Sequence, residues 1–290
     1  MLDAALENAL RFALGAAIRG TRRLSGGDIN DAFELELVSG VRVFLKTNAA
    51  APASMFPAEA EGLDWLRAAG ALRVPEVLAV SNGRDGEPQF LVLELLTPGR
   101  QQADFDERLG SGLAELHRFG APSFGWQRDN FIGTLPQSNR AHDTWPDFFW
   151  HERLEPQLSR AVAAGLASAR LRKDFERLAS RLPQLLGPAE PPARLHGDLW
   201  GGNLHVDESG APCVIDPAAY GGHREVDLAM MRLFGGFGER VFRAYASAWP
   251  LAPGHAERIA LYQLYPLLVH VNLFGGSYVE SVERSLARYV

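Results

Sequence analysis

Alternating apolar and polar positions in the first third of the chain predict a small β-sheet. Residues 33–37 and 41–45 each alternate between apolar and polar side chains, with the turn Ser39-Gly40 between them. This period of two is typical of a β-hairpin. Residues 75–80 and 90–95 predict two further strands around a glycine-rich turn. Apolar positions at helical spacing predict an amphipathic helix over residues 2–18.

A second helix is expected over residues 56–69, and it carries an acidic side chain among apolar ones. Glu59, Leu63 and Leu66 share one face of this helix. A carboxylate on an apolar face is costly unless it is paired, and Lys46 at the end of the second hairpin strand is a natural partner. Glu61 is the alternative partner, but it projects toward the opposite face. We therefore predict a Lys46–Glu59 ion pair.

The pattern changes to mainly helical after Thr97-Pro98-Gly99. Helical spacing is found over residues 105–118, 158–187 and much of the C-terminal part, and a proline-rich linker covers residues 188–192. We expect an α+β protein with a small β-rich N-lobe over residues 1–96. A larger, mainly helical C-lobe is expected over residues 97–290.

The richest concentration of chemical groups lies in the stretch from Leu195 to Met230. Asp198 stands in His-Gly-Asp, Asn203 follows it, and Asp216 ends an apolar run. Phosphoryl transfer to a hydroxyl needs a carboxylate that orients the hydroxyl, and an amide and a second carboxylate that hold Mg²⁺ against ATP. The Asp-to-Asn spacing equals that of the protein-kinase catalytic loop. Each residue alone would be an ordinary turn or cap, but their joint order and spacing favour kinase chemistry.

Two turns and a strand end could complete a nucleotide site. The turn at Ser25, Gly26, Gly27 and Asp28 either is a plain turn or lies over phosphates with its backbone amides. In a kinase, the chain after the last N-lobe strand is the hinge that hydrogen-bonds adenine, and Glu94, Leu95 and Leu96 hold that place. An ordinary strand end fits the same residues. Asp227 either caps a helix or holds the catalytic loop, as an Asp near this position does in kinases.

An aromatic and amide-rich segment, residues 124–154, is the candidate acceptor pocket. Flat apolar faces beside amide groups suit polyhydroxylated ligands, whereas an aromatic core under a long loop is the alternative. Trp200 is expected to wall the site because it lies two residues past Asp198, and His270 is either a pocket residue or a core histidine. The candidate acceptor residues are Asn130, Gln137, Asn139, Trp145, Trp200 and His270.

Composition narrows the partners and the compartment. The formal net charge of −6 gives no global support for binding a nucleic acid. The single cysteine, Cys213, lies in an apolar run and is expected to be a core residue. No apolar run is long enough for a membrane span, and the first residues do not read as a signal peptide. We expect a cytoplasmic protein without a membrane partner, and favour a monomer.

The combination of motifs resembles the fructosamine kinase (ketosamine-3-kinase) family, within the protein-kinase-like, aminoglycoside-phosphotransferase-like group. The resemblance rests on LHGDLWGGNL at 195–204, IDPAAYGGHREVDLAM at 215–230, LFGGF at 233–237 and LYPLLVHVNLFGG at 264–276. It covers nearly the whole chain. Where many relatives place a Trp shortly after the Pro-Gln-x-Asn motif, this chain has Ala141 or His142.

The resemblance implies a two-lobed protein-kinase-like fold and an ATP- and Mg²⁺-dependent enzyme. It implies that Asp198 is the catalytic base, that Asn203 and Asp216 bind Mg²⁺, and that Lys46 contacts phosphates. The turn from Ser25 to Asn30 would cover the phosphates. The acceptor would be the sugar 3-hydroxyl of a ketosamine, either small or formed on a protein lysine. The alternatives are an aminoglycoside or other small-alcohol kinase, and a nucleotide-binding pseudokinase scaffold.

Overall fold

The computed structural model describes residues 2–24 and 29–290, and it divides into two compact units. The first comprises Met1–Phe105 and Leu204–Pro217, and the second comprises Asp106–Asn203 and Ala218–Val290. The segment 204–217, which follows the His-Gly-Asp stretch in sequence, therefore groups with the N-terminal unit. A functional boundary between residues 96 and 97 stays a prediction.

The first unit is built on an antiparallel five-stranded sheet with the strand order β1-β2-β3-β5-β4. Its elements are α1 (Ala4–Leu14), β1 (Ile18–Leu24), β2 (Asp31–Leu37), β3 (Arg42–Thr47), α2 (Met55–Arg67), β4 (Val77–Val80) and β5 (Phe90–Glu94). The alternating pattern of residues 33–37 and 41–45 correctly predicted the β2–β3 hairpin. The predicted helix around Glu59 and the two later strands are also confirmed.

The core of the first unit lies between α1 and the sheet. Leu6 and Leu10 of α1 pack into one cluster with Leu35, Leu45 and other apolar side chains of the central strands. Asp3 caps α1, because its side chain accepts a hydrogen bond from the Leu6 amide at 2.8 Å. The helix ends at Leu14, before the predicted residue 18, because Gly15 adopts a left-handed conformation with φ of 61°.

Strand β1 was not predicted from the sequence. It reads Ile-Arg-Gly-Thr-Arg-Arg-Leu and is largely exposed, so it lacks an apolar alternation. It is an edge strand, and its arginines pair with acids across the neighbouring strand: Arg22 with Glu34, and Arg23 with Asp31. Such cross-strand charge pairs and edge charges keep the strand in register and protect the edge.

A two-stranded hairpin completes the first unit. Strands β9 (Leu204–Val206) and β10 (Pro212–Val214) pair in antiparallel fashion. Cys213 in β10 is fully buried, as expected for a core residue, and burial raises the pKa of its thiol to about 12. The thiol is therefore protonated and unreactive at neutral pH. Two residues beyond this strand, the hairpin delivers Asp216.

The second unit is mainly helical. Its elements are α3 (Phe105–Phe119), β6 (Asn130–Ile132), β7 (Leu135–Gln137), α4 (Trp145–Phe148), a π-helix (Phe149–Leu154), α5 (Glu155–Ala163), α6 (Ala169–Leu185), β8 (Ala193–Leu195), a 3₁₀ turn (Gly201–Asn203), β11 (Tyr220–Gly222), α7 (Glu225–Phe234), α8 (Glu239–Ala248), α9 (His255–Tyr262), α10 (Leu264–Phe274), a 3₁₀ turn (Gly276–Tyr278) and α11 (Val279–Leu286). Its core joins α5, α6, α9, α10 and α11 with the aromatic segment around Trp145.

One predicted helix is divided in two, and one irregular helix was not predicted. The expected helix over residues 158–187 is two helices, because Gly165 has φ of 70° and Ser168 caps α6 through the Leu171 amide. The π-helix at Phe149–Leu154 replaces a regular continuation between α4 and α5. Such single-turn π segments re-aim side chains and occur often at functional sites.

The architecture is the expected α+β, protein-kinase-like fold, with an antiparallel sheet in the N-terminal part and helices in the C-terminal part. Among the described residues, no helix combines the length and the apolar character that crossing a bilayer requires.

Candidate active site

Three predicted residues of the first unit meet in one charged cluster. The Lys46 ammonium donates to Glu59 Oε1 at 2.8 Å and lies 3.0 Å from Asp216 Oδ1. Lys46 is in β3, Glu59 is on the inner face of α2, and Asp216 follows β10. The predicted Lys46–Glu59 pair is thus confirmed, and the structure adds Asp216 to it.

The cluster keeps the lysine charged in a poorly solvated place. Burial alone would lower the pKa of Lys46, but the carboxylates of Asp216 and Glu59 raise it above its ordinary value. The side chains of Lys46 and Glu59 are 11% and 13% exposed, whereas that of Asp216 is 40% exposed. A fixed positive charge and an accessible carboxylate are therefore held side by side.

Asp216 has an unusual backbone conformation. Its φ of 52° is the only positive value among the described residues other than glycine. A left-handed residue with a Cβ is disfavoured, and aspartate tolerates it better than most. Such strain is typical of functional positions and persists only where the surroundings enforce it.

The His-Gly-Asp stretch lies in a tight loop of the second unit. Strand β8 pairs with β11, with Leu195 opposite Tyr220, and this pairing fixes the start of the loop. Gly197 has φ of +83°, and a Cβ at this position would lie 2.1 Å from the Ala218 carbonyl oxygen. Only glycine fits here, which explains why this residue replaces the arginine of the protein-kinase motif.

A buried carboxylate anchors this loop. Asp227 accepts hydrogen bonds from the backbone amides of His196 at 2.8 Å and Gly197 at 2.9 Å, so of the two roles predicted for it the structure shows the one that holds the loop. His117 Nε2 lies 3.1 Å from the same carboxylate, and its Nδ1 lies 2.8 Å from the Tyr245 hydroxyl. Burial would raise the pKa of Asp227, but the hydrogen bonds and charge of these neighbours lower it below its ordinary value.

Asp198 and Asn203 are also held together. The Asn203 side-chain amide donates to the Asp198 carbonyl at 2.8 Å and to its carboxylate at 3.3 Å. The Asn203 amide is supplied by the 3₁₀ turn Gly201–Asn203. Because the Nδ2 group faces Asp198, the carboxamide oxygen is directed away from it.

The candidate metal ligands fit a hard cation. Asn203 offers an amide oxygen and Asp216 a carboxylate oxygen, and Mg²⁺ prefers oxygen ligands. Within residues 2–24 and 29–290, no group of three or more His, Cys, Asp or Glu side chains could hold a metal ion. Asn203 belongs to the second unit and Asp216 to the first, and each by itself is a suitable oxygen donor for such a cation.

The remaining predicted nucleotide residues are partly described. Ser25, Gly26, Gly27 and Asp28 lie outside the described residues. The Asn30 side chain accepts a hydrogen bond from Asn48 Nδ2 at 3.2 Å. Glu94 ends β5, and its carboxylate accepts from Arg73 at 2.9 Å and from the Glu76 amide at 3.0 Å. Leu95 and Leu96 follow as half-buried residues outside the strand.

The predicted acceptor amides form a buried network within the second unit. Asn130 Oδ1 accepts from Gln137 and from Asn139, each at 2.8 Å, and Asn130 donates to the Ala219 carbonyl. Gln137 also donates to the Ala218 carbonyl. All three amide side chains are at most 5% exposed. Their hydrogen-bonding groups are directed to one another and to the chain just before β11.

The aromatic candidates occupy three different environments. Trp145 is a core residue, 5% exposed, whose indole donates to the Tyr262 hydroxyl at 3.2 Å. Trp200 is 42% exposed, and its ring lies over Gly202. His270 is half-buried in an aromatic cluster with Phe234, Phe274 and Tyr278. Burial lowers the pKa of His270, so its imidazole is neutral at neutral pH.

Sequence reasoning missed Arg153, which supports the amide network. This fully buried residue of the π-helix donates to Asn139 Oδ1 at 2.7 Å and to the Ser138 carbonyl at 2.6 Å. Its guanidinium also lies 3.8 Å from the centre of the Tyr220 ring. Neither apolar periodicity nor a motif marks a buried arginine in a π-helix, and the sequence analysis predicted no helix in this aromatic and amide-rich segment.

Comparison with known proteins agrees with this geometry. The fructosamine kinase family matches residues 3–290. A Synechocystis protein assigned as a ketoamine kinase is 42% identical over 274 residues, which cover 93% of this chain and 90% of the relative. A Thermobifida fusca structure assigned as a fructosamine-3-kinase has 36% identity and a TM-score of 0.88, covering 98% of each chain.

A more distant structure shows the fold alone. A thermostable aminoglycoside phosphotransferase in complex with ADP and hygromycin B has a TM-score of 0.61 and 18% identity, covering 98% of this chain and 99% of its own. The match along almost the whole chain, together with the relatives above 35% identity, is decisive for the family. This chain belongs to the fructosamine kinase family.

Proposed function

We propose that this protein is an ATP-dependent kinase that phosphorylates the sugar 3-hydroxyl of ketosamines. The observation that carries the proposal is the Lys46–Glu59–Asp216 cluster in a chain that belongs to the fructosamine kinase family. It combines a charged lysine with an accessible carboxylate in a strained conformation. Kinases use a lysine to bind nucleotide phosphates and a carboxylate to bind the accompanying Mg²⁺. A 3-phosphorylated ketosamine is unstable in this family, so the biological role would be deglycation.

The first unit would bind the nucleotide. Lys46, oriented by Glu59, would contact the α- and β-phosphates, and the backbone of Glu94, Leu95 and Leu96 would bind adenine. The turn containing Ser25 to Asn30 would cover the phosphates. The oxygen atoms of Asp216 and Asn203 would hold Mg²⁺, which when bound spreads the negative charge that the phosphates develop during transfer.

The second unit would activate the acceptor. Asp198 would accept a hydrogen bond from the sugar hydroxyl and take its proton as the hydroxyl attacks phosphorus. Asn203 holds the Asp198 carboxylate through its amide, and Asp227 holds the loop through two backbone amides. These contacts restrict the base to one orientation, which reduces the entropy that must be lost in the transition state.

The acceptor residues would have two kinds of role. Trp200, exposed and two residues from Asp198, would stack against the sugar. His270 would contribute a neutral, aromatic wall. The buried amides of Asn130, Gln137 and Asn139 would support the pocket without contacting the sugar, because they hydrogen-bond to other groups of the protein. Trp145 would act as core support for the same segment.

Small ketosamines are the proposed acceptors. Glycated lysines on proteins carry the same ketosamine group and would react where they are exposed. A rival acceptor, an aminoglycoside, would require a strongly acidic pocket for a polycation, whereas residues 124–154 mix acidic side chains with Arg128 and Arg140. We further propose a monomeric, cytoplasmic enzyme. The single cysteine, a buried thiol, cannot form an intramolecular disulfide and is compatible with a reducing compartment.

A coupled assay of ADP release tests the proposal. The purified protein would be offered ribulose-, erythrulose- and fructose-amines beside aminoglycosides. We expect Mg²⁺-dependent turnover with ketosamines and a higher kcat/KM than with any aminoglycoside. Faster phosphorylation of an aminoglycoside would favour the antibiotic-kinase alternative. Nucleotide binding without turnover on any acceptor would favour the pseudokinase alternative.

A further inference from the structure

Arg73, in the segment between α2 and β4, contacts Glu94, the first residue of the proposed adenine hinge. Its Nη2 donates to Glu94 Oε2 at 2.9 Å. The other oxygen of the same carboxylate accepts from the Glu76 amide at 3.0 Å. Glu94 is the last residue of β5, so both oxygens of its carboxylate are held by the segment that carries Arg73.

The same guanidinium faces the turn of the β9–β10 hairpin. Arg73 Nη1 lies 3.4 Å from Glu208 Oε1, and Nε lies 3.8 Å from Asp207 Oδ2. The Arg73 carbonyl also accepts a hydrogen bond from the Val214 amide at 3.0 Å. Val214 ends β10 and precedes Asp216 by two residues. Arg73 therefore contacts both ends of the hairpin that delivers Asp216.

The turn that Arg73 contacts is internally rigid. Asp207 Oδ1 accepts from the Ser209 amide at 2.9 Å, the Ser209 hydroxyl at 2.7 Å and the Ala211 amide at 2.8 Å. These hydrogen bonds close the turn, and β9 and β10 are paired beyond it. Arg73 is therefore connected to Asp216 through a hydrogen-bonded hairpin and not through an irregular loop.

The chain that follows the proposed hinge lies on the same hairpin. The Gly99 amide donates to the Val206 carbonyl at 3.3 Å, and a Cβ at Gly99 would lie 2.1 Å from the Asp207 carbonyl oxygen. Gln102 Nε2 donates to the Ser209 carbonyl at 3.0 Å. The backbone on both sides of the hinge is therefore attached to one hairpin.

Charge explains why an arginine is needed at this point. Glu94, Asp207 and Glu208 are three carboxylates around one guanidinium. Without the cation they would repel one another, and the hairpin turn would be pushed away from the strand end. The planar guanidinium presents several N–H donors in fixed directions, so it can serve the two sides together.

We propose that Arg73 is a positioning residue that holds the Asp216 hairpin against the adenine hinge and thereby sets the spacing between the base site and the metal–phosphate site. The proposal rests on the proposed function, which assigns the hinge and Asp216 to nucleotide binding. It predicts that Arg73 matters for ligands that occupy both sites, and much less for ligands that occupy only the base site.

Calorimetry with Mg–ADP and with adenosine tests this proposal on the purified protein. Arg73→Met is expected to weaken Mg–ADP binding by about tenfold, the scale of one or two charged hydrogen bonds, and to leave adenosine binding within about twofold. Arg73→Lys, which keeps the charge but not the fork of donors, is expected to recover part of the Mg–ADP affinity. In steady state, the KM for ATP should rise while the KM for the ketosamine stays unchanged.

Arg67→Met is the matched control. Arg67 also lies near the end of α2, has similar exposure and pairs with one acid, Asp64, on the surface. Its replacement is expected to change neither affinity. Equal weakening of Mg–ADP and adenosine, or unchanged affinity for both in Arg73→Met, would overturn the proposal.

A second variant covers the case in which Arg73→Met does not fold. Glu94→Gln removes the charge on the hinge side and keeps a similar shape, and it is expected to weaken Mg–ADP more than adenosine. Equal effects on the two ligands would again overturn the positioning role. Because these measurements need no acceptor, a wild-type protein that ignores ketosamines would contradict the proposed function and leave this test intact.

Discussion

The Lys46 ammonium lies between two carboxylates, 2.8 Å from Glu59 Oε1 and 3.0 Å from Asp216 Oδ1. Burying the Lys46–Glu59 ion pair alone would cost desolvation energy. Asp216 adds a second carboxylate to Lys46 and is itself 40% exposed, so it costs less to desolvate. Lys46 is thus oriented by the buried carboxylate of Glu59, while the carboxylate of Asp216 stays accessible. Nucleotide phosphates would compete for Lys46 and a cation would compete for Asp216. The Lys46–Asp216 contact is therefore the one that would rearrange when they bind.

Replacing Asp216 separates a metal ligand from a structural cap. Asp216→Ala is expected to abolish Mg²⁺-supported ATP binding and to leave binding of the free ketosamine nearly unchanged. The reason is that the removed carboxylate faces Lys46 and solvent in the first unit. Calorimetry with ATP at several Mg²⁺ concentrations measures this effect. An unchanged affinity for Mg–ATP would reduce Asp216 to the end of a strand.

Replacing Asp198 tests the catalytic base. Asp198→Asn keeps the size of the side chain and its carbonyl contact with Asn203, so folding and nucleotide binding should persist. Turnover is expected to fall by about 10²–10⁴, the usual scale for loss of a general base. Single-turnover measurements at saturating ATP and ketosamine give the rate of the chemical step. A rate within threefold of the wild type would remove Asp198 from the mechanism.

Replacing Trp200 tests the acceptor wall. Trp200→Ala should raise the KM for ketosamines by about tenfold, because it removes an exposed indole two residues from Asp198 in sequence. The KM for ATP should change little. Steady-state kinetics with each substrate varied in turn distinguish the two. An effect on ATP alone would place the indole on the nucleotide side.

The buried imidazole of His223 predicts a pH dependence of stability. Burial lowers the pKa of His223 below its ordinary value, and its Nδ1 accepts a hydrogen bond from the Glu225 amide at 3.3 Å. The unfolded chain therefore takes up a proton near pH 6.5 that the folded chain excludes, so this contribution is complete above that pH and is lost below it.

Urea unfolding at pH 7.5 and 5.5 measures this dependence as the free energy of unfolding. The value should be lower at pH 5.5, and His223→Gln should make the difference between the two pH values smaller. An identical difference in wild type and variant would show that His223 titrates alike in the folded and unfolded chains.

The Lys46–Glu59 ion pair could be predicted from the sequence because local rules governed it. Helical spacing placed Glu59 on the apolar face of α2, and the cost of an unpaired carboxylate pointed to Lys46. The sequence also offered Asp227 as an anchor of the His-Gly-Asp loop, beside the alternative of a helix cap. These features depend on contacts within short stretches or between elements with strong periodicity.

The structure of residues 124–154 was predicted less completely. The sequence indicated amide and aromatic groups in residues 124–154, but it could not show that Asn130 and Gln137 turn toward the Ala218–Ala219 carbonyls, some eighty residues away. It gave no indication that a π-helix would bury Arg153 beneath Tyr220. Both features arise from tertiary packing that no local pattern encodes. The edge strand β1 was missed for a similar reason: its own residues show no apolar alternation, and its strand conformation depends on pairing with β2.

The position of the phosphate on the sugar distinguishes a ketosamine-3-kinase from other alcohol kinases. Fructose- or ribulose-amine would be incubated with the enzyme, ATP and Mg²⁺, and the product examined by ³¹P–¹H correlation NMR. Phosphorus is expected to couple to the proton on sugar carbon 3, followed by release of the free amine and inorganic phosphate. The Asp198→Asn variant should form the same product about 10²–10⁴ times more slowly. Phosphorus on a different sugar carbon, or no phosphorylated sugar at all, would contradict the assignment as a ketosamine-3-kinase.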